Sequence, residues 1–224
     1  MHIQFDTSSG LFTWCEWLYR LAYINIIAIF FTLMGGVIAG ICPAITAMFA
    51  LNNKWLNGED DFAVFPEFWK SFKAYFLKSN LLGGLILLTA IALTIDFSLA
   101  NQFTGVLYYI ILSSSSTVIV LSLLSVLYVF SLMIVFPKDS LWQLIKKAIQ
   151  MSMLYPLLTM WMILSMCGFF FICWVFSSLA FLFLGSGLSF IAMSFSHVVY
   201  KRMKNINISS AHVSIPKKRG VMYE

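Results

Sequence analysis

The stretch Pro156–Tyr200, PLLTMWMILSMCGFFFICWVFSSLAFLFLGSGLSFIAMSFSHVVY, runs forty-five residues without an Asp, Glu, Lys or Arg. A helix rises 1.5 Å per residue and a bilayer core of about 30 Å takes about 20 apolar residues, so this run is too long for one crossing and right for two. A turn at Phe176–Ser178 (FSS) divides it into two full spans. A turn at Gly185–Gly187 (GSG) would leave a final segment of about 13 residues, too short to cross.

The rest of the chain agrees with that reading. Of 224 residues only 10% are charged and 61% are hydrophobic, with mean hydropathy +0.90; soluble domains carry about 25% charged residues. The 20-residue ruler places spans near 20–42, 80–100, 112–136, 157–177 and 180–200. The expected architecture is all-α: one polytopic transmembrane helical bundle of five spans over residues 1–200, followed by a basic tail, 201–224. The opening MHIQFDTSSGLFTW lacks the basic start, compact apolar core and small-residue cleavage site of a secretory signal, so the chain is expected to begin at Met1. Cys15, Cys42, Cys167 and Cys173 have neither CxxC nor metal-ligand spacing, and no disulfide framework, metal or cofactor is expected.

Charge sets the orientation. With five spans and the N-terminus outside, four lysines of the first loop (Lys54, Lys70, Lys73, Lys78), three of the third loop (Lys138, Lys146, Lys147) and six basic residues of the tail fall in the cytoplasm. Only Arg20 is left outside. The positive-inside rule reads loop Lys and Arg this way, giving a multi-pass cell-membrane protein with its N-terminus out and its C-terminus in.

Both basic loops carry helix signals. From Phe65, FPEFWKSFKAYF puts Phe65, Phe68, Trp69, Phe72 and Phe76 on one helical face and Glu67, Lys70, Lys73 and Ala74 on the other. That amphipathic pattern suits the cytoplasmic headgroup layer, with the rings sunk and the lysines facing anionic lipid. Pro43–Leu56 reads as a second helix stopped by Asn57-Gly58. Together they predict a cytoplasmic helical hairpin over 43–79, carrying Trp55, Phe68, Trp69, Phe72, Lys70 and Lys73, with the acidic turn Glu59, Asp60, Asp61 at its tip. The third loop repeats the theme: Asp139 or Ser140 is a cap, and Leu141, Leu144, Ile145, Ala148 and Ile149 recur at helical spacing.

The run Tyr19–Gly83 resembles the YesL-like family of bacterial membrane proteins, a domain of unknown function. The features that carry the resemblance are a first span with polar Asn25, Pro43-Ala44 opening a helix that ends in KWLNGE, and FWKSFKAYFLKSNLLG leading into the second span. Such proteins are frequently encoded beside carbohydrate uptake genes in Gram-positive bacteria, so the resemblance implies an accessory role in sugar import and supplies no catalytic residues. Subunits of ATP-driven importers are then the expected protein partners, with the 43–79 hairpin as docking element. A plain membrane-surface helix is the simpler reading, because the Glu-Ala-Ala opening of the importers' own coupling helices is absent.

Charges within or beside spans are costly and often functional. Asp96 lies about 24 Å along the second span from Asn80, and Arg20 starts the first, with Glu16 one turn before it in the favourable acid-then-base order. Glu16, Arg20 and Asp96 form a candidate outer polar site for a solute or proton; a structural clamp with snorkelling ends explains them more simply. Ser113–Thr117 (SSSST) and the GxxxG of Gly36 and Gly40 read as packing features, within one chain or in a homodimer. His2, His197 and His212 are scattered and no catalytic motif accompanies them, so no enzyme is expected. The basic tail reads as lipid-facing rather than nucleic-acid-binding. Two function classes remain: an accessory or assembly partner of a carbohydrate importer, and a small stand-alone or homodimeric solute carrier. Midplane broken helices and ionisable pairs, the usual pointers to a carrier, are absent from the sequence.

Overall fold

The computed structural model describes the backbone of residues 10–213 and the side chains of residues 13–203. Its helices are α1 (Gly10–Met34), α2 (Ile38–Leu56), α3 (Val64–Ala100), α4 (Val106–Val135), α5 (Leu141–Leu154), α6 (Pro156–Val175) and α7 (Ser177–Val213). Five of them, α1, α3, α4, α6 and α7, are long and apolar enough to cross a membrane. The all-α bundle expected from the sequence is present, with five helices of spanning length and apolarity, and the last two part at Phe176.

The first span differs from expectation. Instead of running from 20 to 42 it stops at Met34, where Gly36 (φ 76°) and Val37 (φ 58°) enter the left-handed region, and Val37 N–H bonds back to the Thr32 carbonyl at 2.9 Å. Helical φ cannot continue through two such residues, and the positive φ is strained for β-branched Val37. The chain doubles back as α2, which begins at Ile38 rather than Pro43 and holds Pro43 in its interior at the loss of one intrahelical bond. Gly36 is therefore a turn residue. Gly40 packs against the Thr32 backbone, where any side chain would collide, so this GxxxG seats two antiparallel arms of one chain.

The cytoplasmic helix expected from Phe65 and the span expected from 80 are one helix, α3, of 37 residues. Nothing in Leu77–Asn80 breaks it, and Ser79 Oγ is tied to Thr46 Oγ of α2 at 2.7 Å. The aromatic face is divided: Phe68 and Phe72 are buried while Phe65 and Phe76 stay exposed, and Phe31 of α1 packs on both buried rings, stacked on Phe68 and tilted on Phe72, with centroids 5.2 and 5.3 Å away. The third-loop helix is α5, started by a capping box in which Ser140 and Gln143 satisfy each other's backbone N–H.

Two apolar clusters hold the bundle. One joins α1, α2 and the first turns of α3 through Ile24, Phe31, Leu51, Trp55, Phe68 and Phe72. The other joins α4, α5, α6 and α7 through Tyr128, Met133, Leu144, Met162, Met193 and Val199.

Candidate functional site

Polar groups collect in three places. The first is a knot around Arg20. Helical spacing sets Glu16 one turn before it, and its guanidinium pairs with the Glu16 carboxylate. Asp60, in the non-helical turn after α2, approaches from the other side at 2.5 Å. Trp17 and Trp55 lie under the guanidinium at 5.5 and 5.4 Å and meet edge to face at 6.3 Å. The planar cation is thus held between two carboxylates and two indole faces, the geometry that a guanidinium fork and an aromatic quadrupole both favour. A second cation extends the knot, since Lys54 Nζ lies 2.9 Å from Glu67 and 3.9 Å from Glu59, over the Phe62 ring at 5.1 Å.

The turn expected to project as an acidic tip is therefore folded onto the bundle. Of the residues expected on that hairpin, Trp55, Phe68 and Phe72 are core, Glu59 and Asp60 are engaged in ion pairs, and Trp69 is half-buried under Lys73 at 4.7 Å. Asp61, Lys70 and Lys73 face outward.

The expected outer triad does not assemble. Asp96 is 32 residues into α3, about 48 Å from the helix start at 1.5 Å per residue, whereas Arg20 is fixed to Asp60, just before that start. The physical reason is the hairpin: α1 and α2 lie along the beginning of α3, so Arg20 meets the first loop and not the far end of the second span. Asp96 instead forms the second polar place, accepting a hydrogen bond from Ser115 Oγ of α4 at 3.4 Å, which assigns one member of the SSSST run a partner.

The third place is a buried amide seam between α1, α2 and α7. Asn25 Nδ2 donates to the Phe181 carbonyl at 2.8 Å, and its Oδ1 accepts from Ser186 N–H at 3.3 Å. Asn52 Nδ2 donates to Ser189 Oγ at 2.9 Å, and Ser189 donates to the Ser186 carbonyl at 2.8 Å. Gly185 makes room, because a Cβ there would meet Asn25 Oδ1 at 2.8 Å. Sequence reading passed over this seam; its signal was the GSG at 185–187 inside an apolar run, opposite two asparagines in apolar helices.

A cavity of about 350 Å³ opens between α3 and α4, lined by residues such as Leu82, Ile86, Thr89, Ile119, Ser122 and Val126. Its few hydroxyls bond to their own helix, Thr89 to the Leu85 carbonyl and Ser122 to that of Ile119, so its wall is apolar. Among the described residues no three His, Cys, Asp or Glu side chains group as a metal site. The arrangement fixes helices against one another, and none of the three polar places opens a charged group into the cavity.

Comparison with known proteins gives one consistent relationship. Residues 21–97 match the family model described as "Protein of unknown function, DUF624", a segment that runs from α1 nearly to the end of α3. The chain is 32% identical to uncharacterized protein YesV of Bacillus subtilis (strain 168) over 167 residues, 72% of this chain and 77% of that one. It is 34% identical to uncharacterized protein YesL of the same organism over 126 residues, 56% of this chain and 60% of YesL. With uncharacterized protein YteU, also of B. subtilis, identity is 41% over 98 residues, 43% of this chain and 44% of YteU. The chain thus spans about half the length of the last two relatives. No solved structure matches.

Proposed function

The chain belongs to the YesL-like (DUF624) family of proteins of unknown function, and from that premise we propose that it is a non-catalytic membrane component, an accessory or assembly partner of an ATP-driven carbohydrate importer. The observation that supports a structural role is where the polar groups go. Arg20, Lys54, Asn25 and Tyr128 close on partners within the chain, and Asn52 is held to α7 through its Nδ2 while its buried Oδ1 has no partner. Groups held in this way rigidify a scaffold, whereas a solute carrier needs convergent polar groups left open to a cavity.

The partner surface in this reading is the face that carries Asp61, Lys70 and Lys73 beside the folded turn, with α5 as its neighbour; Lys78 Nζ ties α3 to the carbonyls of Pro137 and Asp139 at 2.9 and 2.7 Å. In this reading the bilayer is the cell membrane and this face is cytoplasmic, because the lysines of the basic loops lie on it. The sugar assignment comes from the family resemblance and from no geometry of the site.

Native-level expression, gentle-detergent purification and identification of what copurifies tests the reading, beside a variant with Asn57–Asp61 replaced by Gly and Ser. The expected result is recovery of importer subunits with the parent chain and their loss with the variant. A chain that arrives alone, or only with copies of itself, from both preparations overturns it.

A further inference from the structure

We infer that the N-terminal end of α1 lies on the same side of the membrane as the 57–63 turn and the C-terminal end of α7, so that α1 enters the bilayer from the cytoplasm. This is independent of the importer reading and replaces the expected outside location of the N-terminus.

The argument is one of sides. A five-span, N-out arrangement puts Arg20 outside and Asp60 inside. Their side chains are 2.5 Å apart, and no membrane fits between them. The contact is not isolated: Trp17 meets Trp55, the Arg20 guanidinium covers both indoles, and Gly35 and Gly40 hold the two arms together at the turn end. Helix α2 therefore retraces α1. Whatever depth the hairpin reaches, it returns the chain to the side from which it entered.

Four crossings then follow, α3 outward, α4 back, α6 outward and α7 back. An even number leaves the start of α1 and the end of α7 on one face. The α4–α5 loop shares that face with the start of α3, as the Lys78 bonds to Pro137 and Asp139 require, and Tyr200 of α7 meets Phe136 of α4 there at 5.7 Å.

Charge supplies a second, independent argument. Under the N-out arrangement Arg20 is the exception among the fourteen basic residues. With α2 as a returning arm, Arg20, Lys54, the three lysines of early α3, the three of the α4–α5 region, and Lys201 and Arg202 at the end of the α7 span all lie on one side. The positive-inside rule makes that side cytoplasmic. Sequence counting does not show the return, because α2 carries Asn52, Asn53 and Lys54 near its end and falls below the apolarity of a span.

Cysteine labelling of the full chain in membranes tests the inference. With Cys42, Cys167 and Cys173 replaced by Ala, a membrane-impermeant maleimide reports the side of Cys15, which is exposed. Thr13→Cys in a background that also lacks Cys15 gives a second reporter on the same helix end, and Asp61→Cys reports the turn. The expected result is no labelling of any of the three in intact cells and labelling after permeabilisation. Labelling of Cys15 or of Thr13→Cys in intact cells while Asp61→Cys stays protected overturns the inference. Labelling of all three in intact cells overturns the cytoplasmic assignment.

Discussion

The two halves of α3 follow opposite rules. Its first nineteen residues, Val64–Leu82, hold the charges Glu67, Lys70, Lys73 and Lys78, yet they bury Phe68, Ser71, Phe72, Ser79 and Leu82 against protein. The next eighteen, Gly83–Ala100, carry one charge, Asp96, and bury only the terminal Ala100. The first half of α4 is similar, with Ser115 its one buried residue before Ser125. The more polar end is packed on protein and the more apolar end faces outward. In water that would be upside down; in a bilayer the lipid satisfies the apolar arm, and specific packing is needed where the chain leaves the hydrocarbon.

That contrast should appear as a contrast in stability. Phe31 sits 2% exposed in the stack with Phe65, Phe68, Trp69 and Phe72. Phe31→Ala is expected to cost about 3–5 kcal/mol, the range for deleting a buried ring, read by denaturant titration of the purified protein. Leu88→Ala, at a position 64% exposed on the outer half of α3, should change stability by less than about 0.5 kcal/mol. Equal losses at the two positions would break the comparison.

The Arg20 knot comes next. Arg20→Ala removes two ion pairs and two cation–π contacts, but Asp60 and Glu16 are more than a third exposed and regain water once freed. A loss of about 2 kcal/mol is expected. Arg20→Lys should fall between, because it keeps the charge and loses the planar fork. Asn25→Leu should cost about 1 kcal/mol, typical of an interhelical polar contact in a membrane bundle, with α7 still able to close its own backbone bonds. Smallest of all, Asp96→Asn is expected to stay within about 0.5 kcal/mol of the parent, since its contact with Ser115 survives the substitution; a large loss of folding would mean that the outer arm has a tight joint after all.

Much of the fold was legible because hydrophobic length is a strong signal. The division of Pro156–Tyr200 at Phe176 followed from the reach of a helix alone, and a cap at Asp139 or Ser140 announced the start of α5, where the structure uses Ser140. What was illegible lay where two readings fit the same residues. Gly35-Gly36-Val37 inside an apolar run is compatible with a continuous span, and only the tertiary contacts of Gly40 and Thr32 decide for a turn. The aromatic face of Phe65–Phe76 satisfies the same pattern whether it meets lipid or Phe31. Arg20, Glu16 and Asp96 were each visible as costly charges, but their partners depend on which helices lie side by side. Asp60 was seen as a loop acid and Asn52 went unremarked for the same reason.

The most direct measurement of the hairpin is a double-mutant cycle on Arg20 and Asp60, with Arg20→Ala, Asp60→Ala and the pair compared by denaturant titration. If the two arms meet as described, the double variant loses less than the sum of the singles, with a coupling of about 0.5–1 kcal/mol for a partly exposed ion pair. Losses that add within about 0.3 kcal/mol would separate Arg20 from Asp60 and contradict the returning hairpin.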